Sequence, residues 1–152
     1  MTRTIVKRYI NSPVDVVFST VANISNFRQA IPDIVNVEFV SDIQSGVGTR
    51  FKETRNMNGR KATVELEVTE YLENNRVRLV SDAGGSIWDT VFTTETSGNA
   101  TNLTMVMDAK PYRLLAKLTS PLIKGMIKKA IEKDMDAVKV YSEGLAEASQ
   151  AN

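Results

Sequence analysis

The period of the apolar positions changes three times along the chain. Residues 2–10 are rich in β-branched side chains and read as a strand that ends at Asn11-Ser12-Pro13. Ser12 before Pro13 is a helix start, with Ser as the N-cap and Pro at the first helical position, where no N–H is needed. Asp15 then falls in the first turn, favourable against the helix dipole. Val14, Val17, Phe18 and Val21 recur at helical spacing to about Ala22, and a second short helix spans 25–30, stopped by Pro32. From residue 35 the period becomes two. Strands fall near 35–41, 49–57, 60–71, 77–82, 87–96 and 101–110, separated by Ser45-Gly46-Val47-Gly48, Asn58-Gly59, Asn74-Asn75, Gly84-Gly85 and Gly98-Asn99. From about Pro111 to Ala148 the period is helical again. Leu115, Leu118, Leu122, Met126, Ile127, Ile131, Val138, Tyr141 and Leu145 form its stripe, and Lys117, Lys124, Lys128 and Lys139 are interleaved. Ser120-Pro121 predicts a break there, with a main helix of roughly 40 Å running on from Pro121.

Two of the turns set a register. If Asn58-Gly59 is a two-residue loop, Met57 pairs with Arg60, Arg55 with Ala62, Glu53 with Val64 and Phe51 with Leu66. The alternate pairs, Lys52 with Glu65 and Arg50 with Glu67, oppose unlike charges, as a solvated face should. The other face then carries Phe51, Glu53, Arg55, Met57, Ala62, Val64, Leu66 and Val68. Treating Gly98-Asn99 in the same way places Trp88, Thr90, Phe92, Thr94, Leu103, Met105, Met107 and Ala109 on one face, the bulkier and therefore the inner one. It also sets Asp89 opposite Asp108 on the outer face, an unfavourable pair.

Six or seven antiparallel strands and one amphipathic helix must bury that helix against one sheet face. The expected class is α+β: a sheet curled around a long C-terminal helix, two short helices after the first strand closing one end, and an internal hydrophobic cavity between sheet and helix. In this order of elements, the stretch Ile10-Asn11-Ser12-Pro13-Val14-Asp15-Val16-Val17-Phe18 resembles the START-related, Bet v 1-like helix-grip superfamily. Gly48-Thr49-Arg50-Phe51, Val68-Thr69-Glu70-Tyr71 and the stretch from Gly98 to Leu103 share that resemblance. Within the superfamily it is most similar to the bacterial polyketide cyclase/dehydrase and lipid-transport (SRPBCC) group, over nearly the whole chain. These are fold signatures rather than catalytic motifs. The resemblance implies a single helix-grip domain over 1–152 that binds or transports a lipid, isoprenoid or polyketide-like molecule. The alternatives are a cyclase/aromatase- or dehydratase-like enzyme and an interaction module on the same fold.

Composition narrows the chemistry. The 152 residues hold no Cys and no His, so Cys/His zinc sites, thiol nucleophiles, Ser-His-Asp triads and His-ligated haem are excluded. No Asp-x-Asp-x-Asp-Gly loop is present, and neither a metal nor another cofactor is implied. A net charge of +1 gives no global field towards nucleic acid, and the aromatics alternate with apolar rather than basic residues, so no nucleic-acid partner is expected. Charges interrupt the first ten residues and no apolar run approaches a membrane span; the expected location is cytoplasmic. Residues 110–133 carry seven basic groups against Glu132, a local +6 that fits either a solvated helix face or contact with anionic lipid headgroups.

The candidate ligand-binding residues follow from the two registers and the helix stripe: Phe51, Glu53, Arg55, Val64, Leu66, Trp88, Phe92, Met105, Met107, Leu122, Met126 and Ile127. Met-rich, aromatic linings suit irregular apolar guests. Glu53 and Arg55, on the apolar face, are either a rim ion pair or the polar contacts that orient a ligand carbonyl or carboxylate. For enzymatic acid–base chemistry the available groups are Glu53, Arg55, Tyr71 and Tyr112.

Overall fold

A computed structural model describes residues 1–151, apart from the side chains of Ser120 and Ala151. The chain begins with strand β1 (Thr2–Ile10), followed by helices α1 (Val14–Ala22) and α2 (Ile24–Ala30). Six strands then follow: β2 (Ile34–Phe39), β3 (Arg50–Met57), β4 (Arg60–Leu72), β5 (Arg76–Ala83), β6 (Ser86–Ser97) and β7 (Ala100–Pro111). Helix α3 (Leu114–Ala151) completes the chain. The seven strands form one antiparallel sheet in the order β1-β7-β6-β5-β4-β3-β2, so a meander from β2 to β7 is closed off by β1 alongside β7. Short turns between consecutive antiparallel strands make this order the expected one.

Both hairpin registers are observed. Asn58 and Gly59 adopt φ of 54° and 81°, the left-handed pair that a two-residue hairpin turn needs, and Phe51 pairs with Leu66 and Glu53 with Val64. Across β6 and β7, Phe92 pairs with Met105 and Thr90 with Met107. The unfavourable Asp89–Asp108 pair is present and is neutralised from both flanks. Arg78 holds Asp89 with Nε–Oδ1 at 2.8 Å, and Arg3 grips Asp108 at 2.8 Å through both Nε and Nη2.

The core lies between the concave sheet face, α1, α2 and the second half of α3. Phe18, Phe51, Ile10, Ile31, Leu103, Met135, Val17, Val77 and Val138 are its most buried apolar side chains. Polar clamps fix α3 against β1: Arg8 to Asp136 at 2.6 Å, Lys139 to the Tyr9 carbonyl at 2.5 Å, and the Asn11 N–H to Glu143 at 2.8 Å.

Two local expectations are corrected. Ser12 does not cap α1: it is buried, its Oγ has no partner, and Pro13 takes the cap position with no side-chain hydrogen bond. Ser12 is held by its backbone instead, the N–H bonding Ile10 and the carbonyl accepting the Thr101 hydroxyl at 2.8 Å. The second correction concerns Pro121. It neither breaks nor starts a helix but lies inside α3, which begins at Leu114. The proline removes one bond, to the Lys117 carbonyl, and there both residues are exposed, so water can replace the missing donor. The start of α3 is pinned instead by Gly85, whose carbonyl accepts the Tyr112 and Arg113 N–H groups at 2.9 and 3.2 Å. A Cβ on Gly85, which has φ +81°, would sit 2.9 Å from Arg113 Cβ, so only glycine fits beneath this junction.

Candidate functional site

The concave sheet face, the adjoining ends of α1 and α2 and one stretch of α3 surround a cavity of about 300 Å³. Phe51, Leu66, Trp88, Phe92, Met105 and Met107 line it as the registers predict and Ile127 as the helix stripe predicts, and Glu53 and Arg55 stand on the same wall. The Trp88 indole N–H donates to the Ala83 carbonyl at 3.0 Å, and Phe27 meets Phe92 edge-on at 6.1 Å. A groove of about 390 Å³ continues along the sheet with Ala62, Val64 and Ala83, sharing Met57, Leu66, Trp88 and Met107 with the cavity. Val64 therefore lines this extension rather than the main chamber. Gln44, Ser45, Met57 and Ala130 line the cavity yet are exposed, and they mark its mouth.

Leu122 and Met126 are not part of the site. They are 81% and 71% exposed and point away from the sheet. At 3.6 residues per turn, the set Leu115, Leu118, Leu122 and Met126 lies roughly half a turn from the set Ile127, Ile131, Met135 and Val138. What reads as one stripe is two, on opposite faces of the helix. Gly125 likewise faces open space and allows no close approach to the sheet.

Three charged side chains meet in the cavity wall. Arg55 Nε donates to Glu53 Oε1 at 2.5 Å, and Arg55 Nη1 reaches Asp134 at 2.9–3.0 Å. Glu53 and Asp134 are nearly buried and Arg55 partly so. Asp134 was not legible as a site residue, because it stands in the charged run Glu132-Lys133-Asp134-Met135-Asp136. Its signal is helical phase: three after Ile131 and four before Val138, it shares their inward face. The partnership alters what Arg55 can do. With two carboxylates already on the guanidinium, the ionised cluster is net negative, so it repels a ligand carboxylate instead of clamping one. Tyr71 and Tyr112 are elsewhere: Tyr71 packs edge-on to Phe18 at 5.3 Å, and the Tyr112 hydroxyl bonds Asp82 outside the cavity.

The sequence and the fold both match known proteins. The family model for polyketide cyclase/dehydrase and lipid transport proteins matches residues 1–143. The chain belongs to that family. No functionally curated protein matches it significantly. Among solved structures, TTHA0849 of Thermus thermophilus is 16% identical with a TM-score of 0.77, over 95% of this chain and 99% of that one. The crystal structure of Ara h 8.0201 is 13% identical with a TM-score of 0.71, over 93% of this chain and 97% of that one. The di-domain ARO/CYC StfQ from the steffimycin biosynthetic pathway is 9% identical with a TM-score of 0.79; the match covers 99% of this chain and 52% of that one. At these identities the likeness is one of fold.

For this family member the electrostatics of the cluster are decided by desolvation. Burial pushes the Asp134 carboxyl above the usual Asp range, and the attraction of Arg55 only partly opposes it. Burial also disfavours the Arg55 charge, but Asp134 and Glu53 outweigh it and raise the guanidinium above its ordinary value. Among the described residues no cluster of three acidic groups could hold a metal ion, and no helix is long and apolar enough to cross a membrane.

The Asp134 shift gives binding a pH dependence. An uncharged guest in the cavity removes more water from Asp134 and favours its protonated form further. By linkage, such a guest binds the protonated protein more tightly. The affinity for a neutral apolar dye is therefore expected to fall as pH rises through the Asp134 value and then to level off. Fluorescence titrations at a series of pH values should show this slope for wild type and a flat profile for Asp134→Asn.

Proposed function

We propose that this chain binds an uncharged hydrophobic small molecule in the cavity and carries it without altering it. The observation that supports the reading is the composition of the wall: aromatic, Met and aliphatic side chains around one polar cluster whose net charge disfavours anions. The Arg55–Glu53–Asp134 group offers guanidinium donors and carboxylate acceptors to a hydroxyl or carbonyl at one end of such a ligand. The isoprenoid, sterol-like and polyketide-like classes meet that description; free fatty acids do not.

Native mass spectrometry of protein purified from its host is the direct test, with a co-purifying apolar molecule of matching mass expected. A cavity-filling substitution gives the control. Leu66→Trp fills the empty space shared by chamber and groove, so it should leave stability unchanged or raise it by up to about 2 kcal/mol. It should also weaken binding of a neutral apolar dye by about tenfold or more, the loss expected when a pocket of this size is occupied. Unchanged dye affinity in Leu66→Trp, with the protein still folded, would remove the cavity as the binding site.

A second reading is favoured by one observation, the raised carboxyl of Asp134 beside Arg55. In its protonated form the Asp134 carboxyl can donate a hydrogen bond to a ligand carbonyl, with Arg55 as a second donor, and so polarise that carbonyl for an enolisation or cyclisation step. Conversion of a poly-β-ketone by wild type but not by Asp134→Asn, with dye affinity retained, would favour this reading over simple carriage.

A further inference from the structure

The first half of α3 carries a second apolar face that no other part of the described structure covers. Leu114, Leu115, Leu118, Leu122 and Met126 are 65–81% exposed. On a helix they fall within about a third of the circumference, opposite the face that Ile131, Met135 and Val138 bury. A soluble surface does not normally present a continuous stripe of this kind. Lys129 stands within it, and Lys117, Lys124 and Lys128 project from the helix roughly 100–140° round from its middle. All four are exposed and make no ion pair among the described residues.

Charge selects the occupant. Residues 110–133 hold seven basic groups and one acidic group in a chain of net charge +1, which leaves the rest of the chain at net −5. A second copy docked stripe to stripe would bring two strongly basic segments together. An anionic surface with an apolar interior just beneath it suits both features of the helix: the leucines enter the interface while the lysine stems lie along it and keep their ammonium groups at the headgroups. Position matters as well. Ile127 and Ala130, on the turn after Met126, line the cavity, and Ala130 is at its mouth.

We infer that residues 114–129 dock on an anionic lipid bilayer, lying in its interface through the outer leucine stripe and bringing the cavity mouth next to the membrane. Loading of a hydrophobic ligand from that membrane rests on the function proposed above; docking itself does not. The test is co-flotation of the full chain with vesicles of phosphatidylcholine alone and of phosphatidylcholine with phosphatidylglycerol. Binding is expected to the anionic vesicles, about tenfold or more weaker to the neutral ones, and reduced by salt. Leu115→Ser/Leu118→Ser and Lys124→Glu/Lys128→Glu should each abolish flotation while leaving dye uptake by the cavity and melting temperature unchanged. Dye uptake thus reports on the cavity separately from the membrane. Absence of flotation with anionic vesicles overturns the inference. So does flotation that both double variants retain. Light scattering that shows a wild-type dimer, made monomeric by Leu115→Ser/Leu118→Ser, assigns the stripe to a second copy and overturns it equally.

Discussion

Arg55→Met is expected to lower the folding stability by about 3 kcal/mol at neutral pH, the magnitude typical of breaking a buried ion pair by removing one partner. Arg55 is the only cation paired with Glu53 or Asp134 among the described residues. Methionine matches the length of the arginine stem and suits the apolar wall, so the packing loss is small. What remains is two carboxylates facing a cavity lined by Phe51, Leu66, Trp88 and Met107. Their desolvation is then uncompensated, and each repels the other. For a chain of this size the loss corresponds to a melting temperature lower by about 10 °C. Acidification that protonates Asp134 should recover part of it. The triple variant Arg55→Met/Glu53→Gln/Asp134→Asn removes every charge of the cluster together and should melt near wild type. Thermal unfolding of the single and triple variants checks both statements. If Arg55→Met melts with wild type, the cluster is solvated and cannot act as the polar end of a binding site.

The sheet was legible in the sequence because its turns are short. A two-residue loop such as Asn58-Gly59 leaves no freedom in the pairing of its flanking strands, so placing Phe51 against Leu66 also places Glu53, Arg55 and Val64 on one face. The same holds for Trp88 through Ala109 around Gly98-Asn99. That the molecule keeps Asp89 opposite Asp108 is explained by partners that the hairpin arithmetic does not contain: Arg78 comes from β5 and Arg3 from β1, on either side of the pair. Contributions from elsewhere in the chain were not legible for the same reason. Val21, Ile24 and Phe27 reach the cavity from the short helices, and Gln44 and Ser45 from the β2–β3 connection. No local period encodes how those segments sit over the sheet. Asp134 is the most consequential of these residues. It stands 79 positions from Arg55, and the charged neighbours Glu132, Lys133 and Asp136 are typical of a solvated helix face.

The helix itself shows how a correct element can conceal a wrong surface. Leucine, methionine and isoleucine recur from 115 to 145 at helical spacing, and the segment is one continuous helix. Between Met126 and Ile127, however, the apolar positions step by one residue instead of three or four. A step of one turns the face by roughly 100°, and the steps of four to Ile131 and Met135 carry it on to the opposite side. Subsequent residues then hold the new face: Ile131, Met135 and Val138 are at most 4% exposed, whereas Leu118, Leu122 and Met126 remain at 65–81%. Paired alanine substitutions separate the two faces. Met135→Ala is expected to cost about 2–5 kcal/mol, because the side chain is fully buried in the main core and its removal leaves a cavity between helix and sheet. Leu122→Ala should change stability by no more than about 0.5 kcal/mol, since it removes no buried contact and alanine is the better helix former. Urea denaturation of both variants, with m values compared, measures the difference. Equal losses at the two positions would mean that the first half of α3 also packs on the body of the protein. Its leucines would then belong to the core, and the helix would cover the cavity mouth instead of flanking it.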